Sequence, residues 1–229
     1  MNQTQVKQQL DDVIARYDLL KHPFYQAWSC GHLSKTEIAD YAAAYYHHVE
    51  AFPRYLESFA KALPEGELKA MVQEHQADEE GKGQFAGQAH GDMWLDFARG
   101  MGAERETVMT IEKPQEIENL IQLFDDAATS GSTARALAAF YTYESQTPRV
   151  AADKATWLKK WYESDESTCR YFDLHANYDV EHANDWAKCI EDVLEQKPEE
   201  MPVVIDQVEK TAKALWTVLD GFEKKRTLQ

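Results

Sequence analysis

The chain has 229 residues, 44% hydrophobic and 11% aromatic, which suffices to bury a sizeable core as one domain spanning 1–229. With 40 acidic against 24 basic residues the formal charge is −16, an acidic excess that excludes nucleic acid or an anionic membrane surface as partner, since both need basic patches. Neither a secretory-type apolar segment nor a run of about 18 apolar residues is present, so a cytoplasmic protein without a membrane partner is expected.

In chain order the periodicity is helical. Val6, Leu10, Val13, Ile14, Tyr17 and Leu20 form one apolar stripe, which predicts a helix over 3–20 that His22 and Pro23 end. Ser34 followed by Glu37 reads as a capping box opening a long helix, kinked at Pro53 and closed by Pro64 and Gly66. Within it, His47 and His48 are neighbours roughly 100° apart, which predicts one facing the core and one facing solvent. Further helices are expected over 67–80, 91–101, 114–129, 133–163 with a second kink at Pro148, 166–195 and 203–225. No alternating strand pattern competes. Seven or eight helices with short connections give an all-α bundle, opened near its centre by the two proline kinks.

The chemistry concentrates in the second half. His175, Asp179 and His182 make an H-x3-D-x2-H cluster whose side chains fall within about 60° on one helical stripe, the pattern of a metal site. Two imidazoles and a carboxylate suit iron, manganese or zinc, and a dinuclear site would draw more carboxylates from facing helices. Glu144 interrupts an apolar and aromatic run in ALAAFYTYESQTPRVAADK, so its carboxylate is expected to point inward. Glu79 and His90 are eleven residues apart, close to three turns, and on an unbroken helix would share a face, with Glu80 roughly 80° away. Cys30, Cys169 and Cys189 lack a C-x2-C pair and read as small packing residues. Arg149 reads as a salt-bridge partner for an acid on a neighbouring helix.

The stretches HPFYQAWSCGHLS, YAAAYYHHVEAFPRYL, DEEGKGQ with HGDMWLDFA, AAFYTYESQTPRVAADK and YFDLHANYDVEHA together resemble the haem-oxygenase-like diiron oxidases. Within that superfamily the chain is similar to the branch of self-sacrificing para-aminobenzoate synthases that contains the chlamydial protein associating with death domains. The pyrroloquinoline quinone biosynthesis oxidase and thiaminase II are more distant relatives of the same fold. The resemblance implies a haem-oxygenase-like seven- to eight-helix bundle with six metal ligands at Glu79, His90, Glu144, His175, Asp179 and His182. The family has six residues between the first glutamate and the first histidine where ten stand here, which leaves Glu74 and Glu80 as substitutes for Glu79.

The same resemblance implies that Tyr25, in H-P-F-Y, is consumed as the source of an aromatic ring, and that Lys154 supplies an amino group. Tyr143 and Tyr171 match aromatic positions that carry radicals or electrons. The implied activity is single-turnover formation of para-aminobenzoate for folate biosynthesis. It would use two metal ions, iron with iron or iron with manganese, together with molecular oxygen and an external reductant from an unidentified reductase. A homodimer is expected. The alternatives are a diiron oxidase acting on an external amine, amino acid or fatty acid, and a protein-interaction module.

Overall fold

A computed structural model describes residues 3–83 and 87–228, of which residues 3 and 4 are described by backbone alone; among these every regular element is a helix. The elements are α1 (Gln3–Ile14), α2 (Pro23–Ser29), α3 (Lys35–Ala62), α4 (Glu67–Glu79), α5 (His90–Gly100), α6 (Arg105–Thr110), α7 (Gln115–Thr129), α8 (Thr133–Glu144), α9 (Thr147–Trp161), α10 (Glu166–Gln196) and α11 (Met201–Thr227). The all-α expectation holds, with differences at the breaks. The stripe over 3–20 is α-helical only to Ile14 and then tightens into two short 3-10 turns, Ala15–Tyr17 and Leu19–Lys21. Pro23 opens α2 as well as ending what precedes it, because a proline at the first helical turn has no N–H to leave unpaired.

Pro148 breaks the expected 133–163 helix instead of kinking it. The chain ends α8 at Glu144 and restarts α9 at Thr147, with Pro148 in the first turn of the new helix. Pro53, by contrast, sits inside a continuous α3. The Ser34–Glu37 capping box is present, with Glu37 N–H donating to Ser34 Oγ at 3.2 Å and Ser34 N–H to Glu37 Oε2 at 2.7 Å. His47 and His48 are both buried, contrary to the split expected of them: His47 reaches the Ile111 carbonyl at 3.2 Å and His48 lies among aromatic rings. α6 and its flanking loops cover that side of α3, so a face that periodicity assigns to solvent is occupied.

Helix α10 packs on α5, α8 and α9, and α3 on α4, α5 and α7, while α11 closes the far side against α7 and α8. The buried alanines of α8 (Ala134, Ala136, Ala138 and Ala139) let its neighbours approach closely, and Trp28, Trp94 and Trp186 fill the larger gaps. One contiguous apolar core runs from Val6 to Phe222. Among the described residues no helix is long and apolar enough to cross a membrane. Arg149 pairs with Asp18 at 3.1 Å near the surface, the structural salt bridge expected of it. Cys30 is exposed, unlike the packing role read for it, while Cys169 is buried and Cys189 half-buried.

Candidate active site

Where α4 and α5 face α8 and α10, eight ionisable side chains are buried together: His75, Asp78, Glu79, His90, Glu144, His175, Asp179 and His182. Six of these are the residues singled out from the sequence. His175, Asp179 and His182 project from one face of α10, as their spacing requires. Glu144 is the last residue of α8, and its carboxylate accepts the Trp186 indole N–H at 2.6 Å.

Glu79 and His90 meet by a route other than the one their spacing implies. α4 ends at Glu79 and His90 is the first residue of α5, so no single helix carries both. His90 Nδ1 nevertheless lies 2.8 Å from Glu79 Oε2. The meeting of two helix ends, and not helical periodicity, brings them together. Gly81 carries the turn at φ +69°, where a Cβ would press on the Gln88 and Ala89 backbone. Of the alternatives to Glu79, Glu74 is exposed and Glu80 bonds outward to Lys82 and Gln76.

Donor atoms of Glu79, His90 and His175 lie within 4.8 Å of one another, and so do those of His75, Glu144 and His182. Asp179 is coupled electrostatically to both groups, since Glu144 and Glu79 each push its carboxyl up. Burial raises Asp179 and Glu144 well above the usual carboxylate range, and for Glu144 the proximity of Glu79 adds to it. Burial would raise Glu79 too, but His90 beside it, with help from His175 and His182, outweighs that and holds it below its usual value. Burial, assisted by His90, pushes His175 down to about 3, and burial with His182 does the same to His75.

The His175 ring has an assigned orientation. His175 Nδ1 donates to the Tyr171 carbonyl at 2.6 Å, which leaves Nε2 as its lone-pair nitrogen. His182 has Nε2 at 3.4 Å from Asp78 and Nδ1 at 3.7 Å from Glu144. The Nδ1 atoms of His75 and His182 are buried without a hydrogen bond, whereas that of His90 is taken by Glu79. Burying these two orphaned nitrogens beside Glu144 and Asp179, whose carboxyls resist ionisation, is costly unless a cation compensates them. The donor set, imidazole and carboxylate without thiolate, fits iron or manganese.

A second group lies beyond the cluster. Tyr25 of α2 is buried, and its hydroxyl is 2.8 Å from that of Tyr41 on α3. Lys154 of α9, 129 positions later, is 1% exposed, with Nζ 4.1 Å from the Tyr25 ring centroid and 3.3 Å from the Tyr25 carbonyl. Asp153 Oδ2 accepts from Lys154 Nζ at 3.0 Å and from Ser29 Oγ at 2.8 Å, while its Oδ1 takes the Trp157 N–H at 2.8 Å. Burial pushes the Lys154 amine down to about 8 despite Asp153. Tyr171 stacks on His175 with ring centroids 3.9 Å apart. Tyr25, Tyr41, Tyr45, Tyr143 and Tyr171 line a cavity of about 40 Å³, and burial raises all five hydroxyls above the usual phenol value.

Sequence reasoning missed His75, Asp153, Tyr41 and Tyr45. His75 had a signal: with Val72 and Glu79 it repeats at the three- and four-residue spacing of a buried face, so it is a histidine in core phase.

The family described as iron-containing redox enzymes matches residues 39–216. The chain is 30% identical over 214 residues to the 4-aminobenzoate synthase of Chlamydia pneumoniae, covering 93% of this chain and 92% of that protein. It is 31% identical over 229 residues to the 4-aminobenzoate synthase of Nitrosomonas europaea, covering 95% and 91%. A Shewanella denitrificans domain of unknown function with a haem-oxygenase-like fold superposes with a TM-score of 0.82 at 19% identity, over 100% of this chain and 94% of that one. With the helical architecture above, these likenesses establish that the chain belongs to the iron-containing redox enzymes of haem-oxygenase-like fold and is a metal-dependent oxidoreductase.

Proposed function

We propose that this protein forms para-aminobenzoate from its own side chains, the ring coming from Tyr25 and the nitrogen from Lys154, once per chain. The observation that carries the reading is the buried amine of Lys154 4.1 Å from the Tyr25 ring centroid. A tyrosine side chain already contains the benzene ring of the product, with a carbon opposite an oxygen. Conversion requires cleavage of the Cα–Cβ bond, oxidation of Cβ to a carboxylate, and replacement of the phenol oxygen by nitrogen. The ligands would be Glu79, His90, Glu144, His175, Asp179 and His182, holding two iron ions or iron with manganese; with molecular oxygen and an external reductant these metals would supply the oxidising equivalents.

The chain's own groups do the rest. Burial gives Lys154 a substantial free-amine fraction near neutral pH, which nitrogen transfer needs and an exposed lysine lacks. Asp153, held by Ser29 and Trp157, fixes where Nζ sits. The Tyr41 hydroxyl positions that of Tyr25 and can exchange a proton with it at 2.8 Å. Tyr171, stacked on His175, and Tyr143 stand on the way to the metal ligands. The cavity of about 40 Å³ between these rings holds about three waters, far below the roughly 300 Å³ of a small-ligand pocket, which favours an internal substrate over an external one.

The test is mass spectrometry on protein carrying ring-labelled tyrosine, stripped of metal, reloaded with iron with or without manganese, and given reductant and oxygen but no substrate. Labelled para-aminobenzoate, at no more than one molecule per chain and lost in Tyr25→Phe, is expected. Bound metal without labelled product would transfer the assignment to an oxidase acting on an external small molecule.

A further inference from the structure

We propose that His75 is a seventh metal donor, held in its ligating orientation by Asp185, so that each of the two donor groups would offer two imidazoles and one carboxylate. The inference rests on the reading of this cluster as a dinuclear site and changes its composition. With six ligands, the position beside Glu144 has one imidazole, that of His182. His75 supplies the second.

Helical geometry places it there. His75 is one turn before Glu79 on α4, so the face that offers Glu79 to one position offers His75 to the other. His75, Glu144 and His182 each present a donor atom, all within 4.8 Å of one another. Donors bound at about 2.0–2.2 Å from one ion are separated by no more than about 4.4 Å, so small side-chain adjustments close the set. The His75 ring stacks on that of His182 at 3.9 Å between centroids and meets Trp186 edge-on at 4.7 Å, which limits its rotation.

The hydrogen-bonding pattern separates a ligand from a packing residue. His75 is 3% exposed; its Nε2 pairs with Asp185 Oδ2 at 3.3 Å, while its Nδ1 has no hydrogen bond. A carboxylate on one ring nitrogen sets the proton there and leaves the other with a lone pair for metal, as in carboxylate–histidine–metal triads. Two other buried histidines provide the contrast. His22 also meets a carboxylate, Asp220 at 3.1 Å, but its Nδ1 accepts the Phe24 N–H at 3.1 Å, so both nitrogens are used. His48 has neither nitrogen paired, and rings of Phe52, Tyr55, Phe124 and Tyr143 surround it. His75 alone of these three combines an orienting carboxylate, an orphaned nitrogen and neighbouring donors. Two histidines and one carboxylate per position is the set that non-haem iron(II) favours.

The experiment is anaerobic equilibrium dialysis of ferrous iron against the full-length metal-free protein, with Mössbauer spectra of the loaded samples, comparing wild type with His75→Ala and Asp185→Asn. Wild type is expected to take up two irons per chain. His75→Ala should retain one tightly and bind the second at least tenfold more weakly, with the spectrum of one iron lost or altered. Asp185, whose side chain is 50% exposed, can be changed without disturbing the core. Asp185→Asn should weaken the second iron 10- to 100-fold, and it decides the matter if His75→Ala fails to fold. Two irons bound by either folded variant with wild-type affinity and spectra would overturn the role of His75 while leaving the dinuclear reading intact. Fewer than two irons on wild type would overturn the dinuclear reading, and this inference with it.

Discussion

Replacing Lys154 by methionine should make the protein more stable while removing its product. The amine is 1% exposed, and burial lowers it from 10.5 to about 8, which corresponds to about 3 kcal/mol against the charged form in the folded state. A lysine whose folded value lies below its unfolded one binds fewer protons folded than unfolded. Stability therefore rises with pH between about 8 and 10.5, and below about pH 8 the whole penalty is in force. Methionine keeps the unbranched stem without the charge. It forfeits the bonds to the Tyr25 carbonyl and to Asp153, but Asp153 retains Ser29 and Trp157. The net gain at pH 7 should be about 1–2 kcal/mol after about 1 kcal/mol for the lost bonds, or a Tm rise of about 2–8 °C for a chain of this size. Thermal and urea unfolding of metal-free wild type and Lys154→Met, from pH 7 to pH 10, measure it. The advantage should shrink as pH rises through 8, where wild type sheds its own penalty. A variant less stable than wild type at pH 7, or a difference independent of pH, would refute the claim that Lys154 is held in an unfavourable state. On the proposed function the same burial supplies reactivity: about one lysine in ten is free amine at pH 7 with a value near 8, against about one in three thousand at 10.5.

Three further outcomes follow from the packing. His48→Phe, which removes two unpaired buried nitrogens from an aromatic surround, should stabilise by about 1–2 kcal/mol at pH 7. Because burial holds His48 at about 3, it also makes wild type lose stability as pH falls below 6.5; between pH 6.5 and 5 the variant should lose about 2 kcal/mol less, and parallel urea-derived curves would count against this. Trp186→Phe strips Glu144 of its 2.6 Å hydrogen bond, so metal-free protein should lose about 1–3 kcal/mol and iron affinity should drop about 10- to 100-fold, read by unfolding and by anaerobic iron titration. Gly100→Ala drives a methyl group into Thr168, whose N–H and hydroxyl both donate to Asp165 to cap α10, and should cost about 1–3 kcal/mol in thermal unfolding.

Features set by one helix's register were legible in the sequence. His175, Asp179 and His182 share a stripe of α10 because 3.6-residue periodicity demands it, and Glu144 was betrayed by a charge inside an apolar run. Glu79 and His90 came together for a different reason from the one periodicity offers, since one ends α4, the other begins α5, and the chain turns at Gly81 after the first. Pro148 marked a real discontinuity but not its kind: a kink and a break present the same residue, and only the packing of α9 against α2 and α10 selects between them. His75 and Asp153 were missed because their significance depends on partners far away in sequence or across a helix face, Asp185 for one and Ser29 for the other. A side chain becomes readable when its reason is local, and these reasons are not.

The tyrosine–lysine pair and the histidine–carboxylate cluster are joined by rings instead of by open space. From Tyr25 the hydroxyl contact leads to Tyr41, whose ring centroid is 6.0 Å from that of Trp94; Trp94 is 4.8 Å from Tyr171, and Tyr171 is 3.9 Å from His175. The phenols on this path are raised by burial, so each keeps its proton at neutral pH and can give up an electron only if the proton moves as well. At Tyr25 the neighbouring Tyr41 oxygen, at 2.8 Å, can take it. A pocket wide enough for an aromatic guest would have to be cut out of this stack, and cutting it would sever the path. The packing can serve an external substrate or connect an internal one, and the rings that fill the cavity favour the connection.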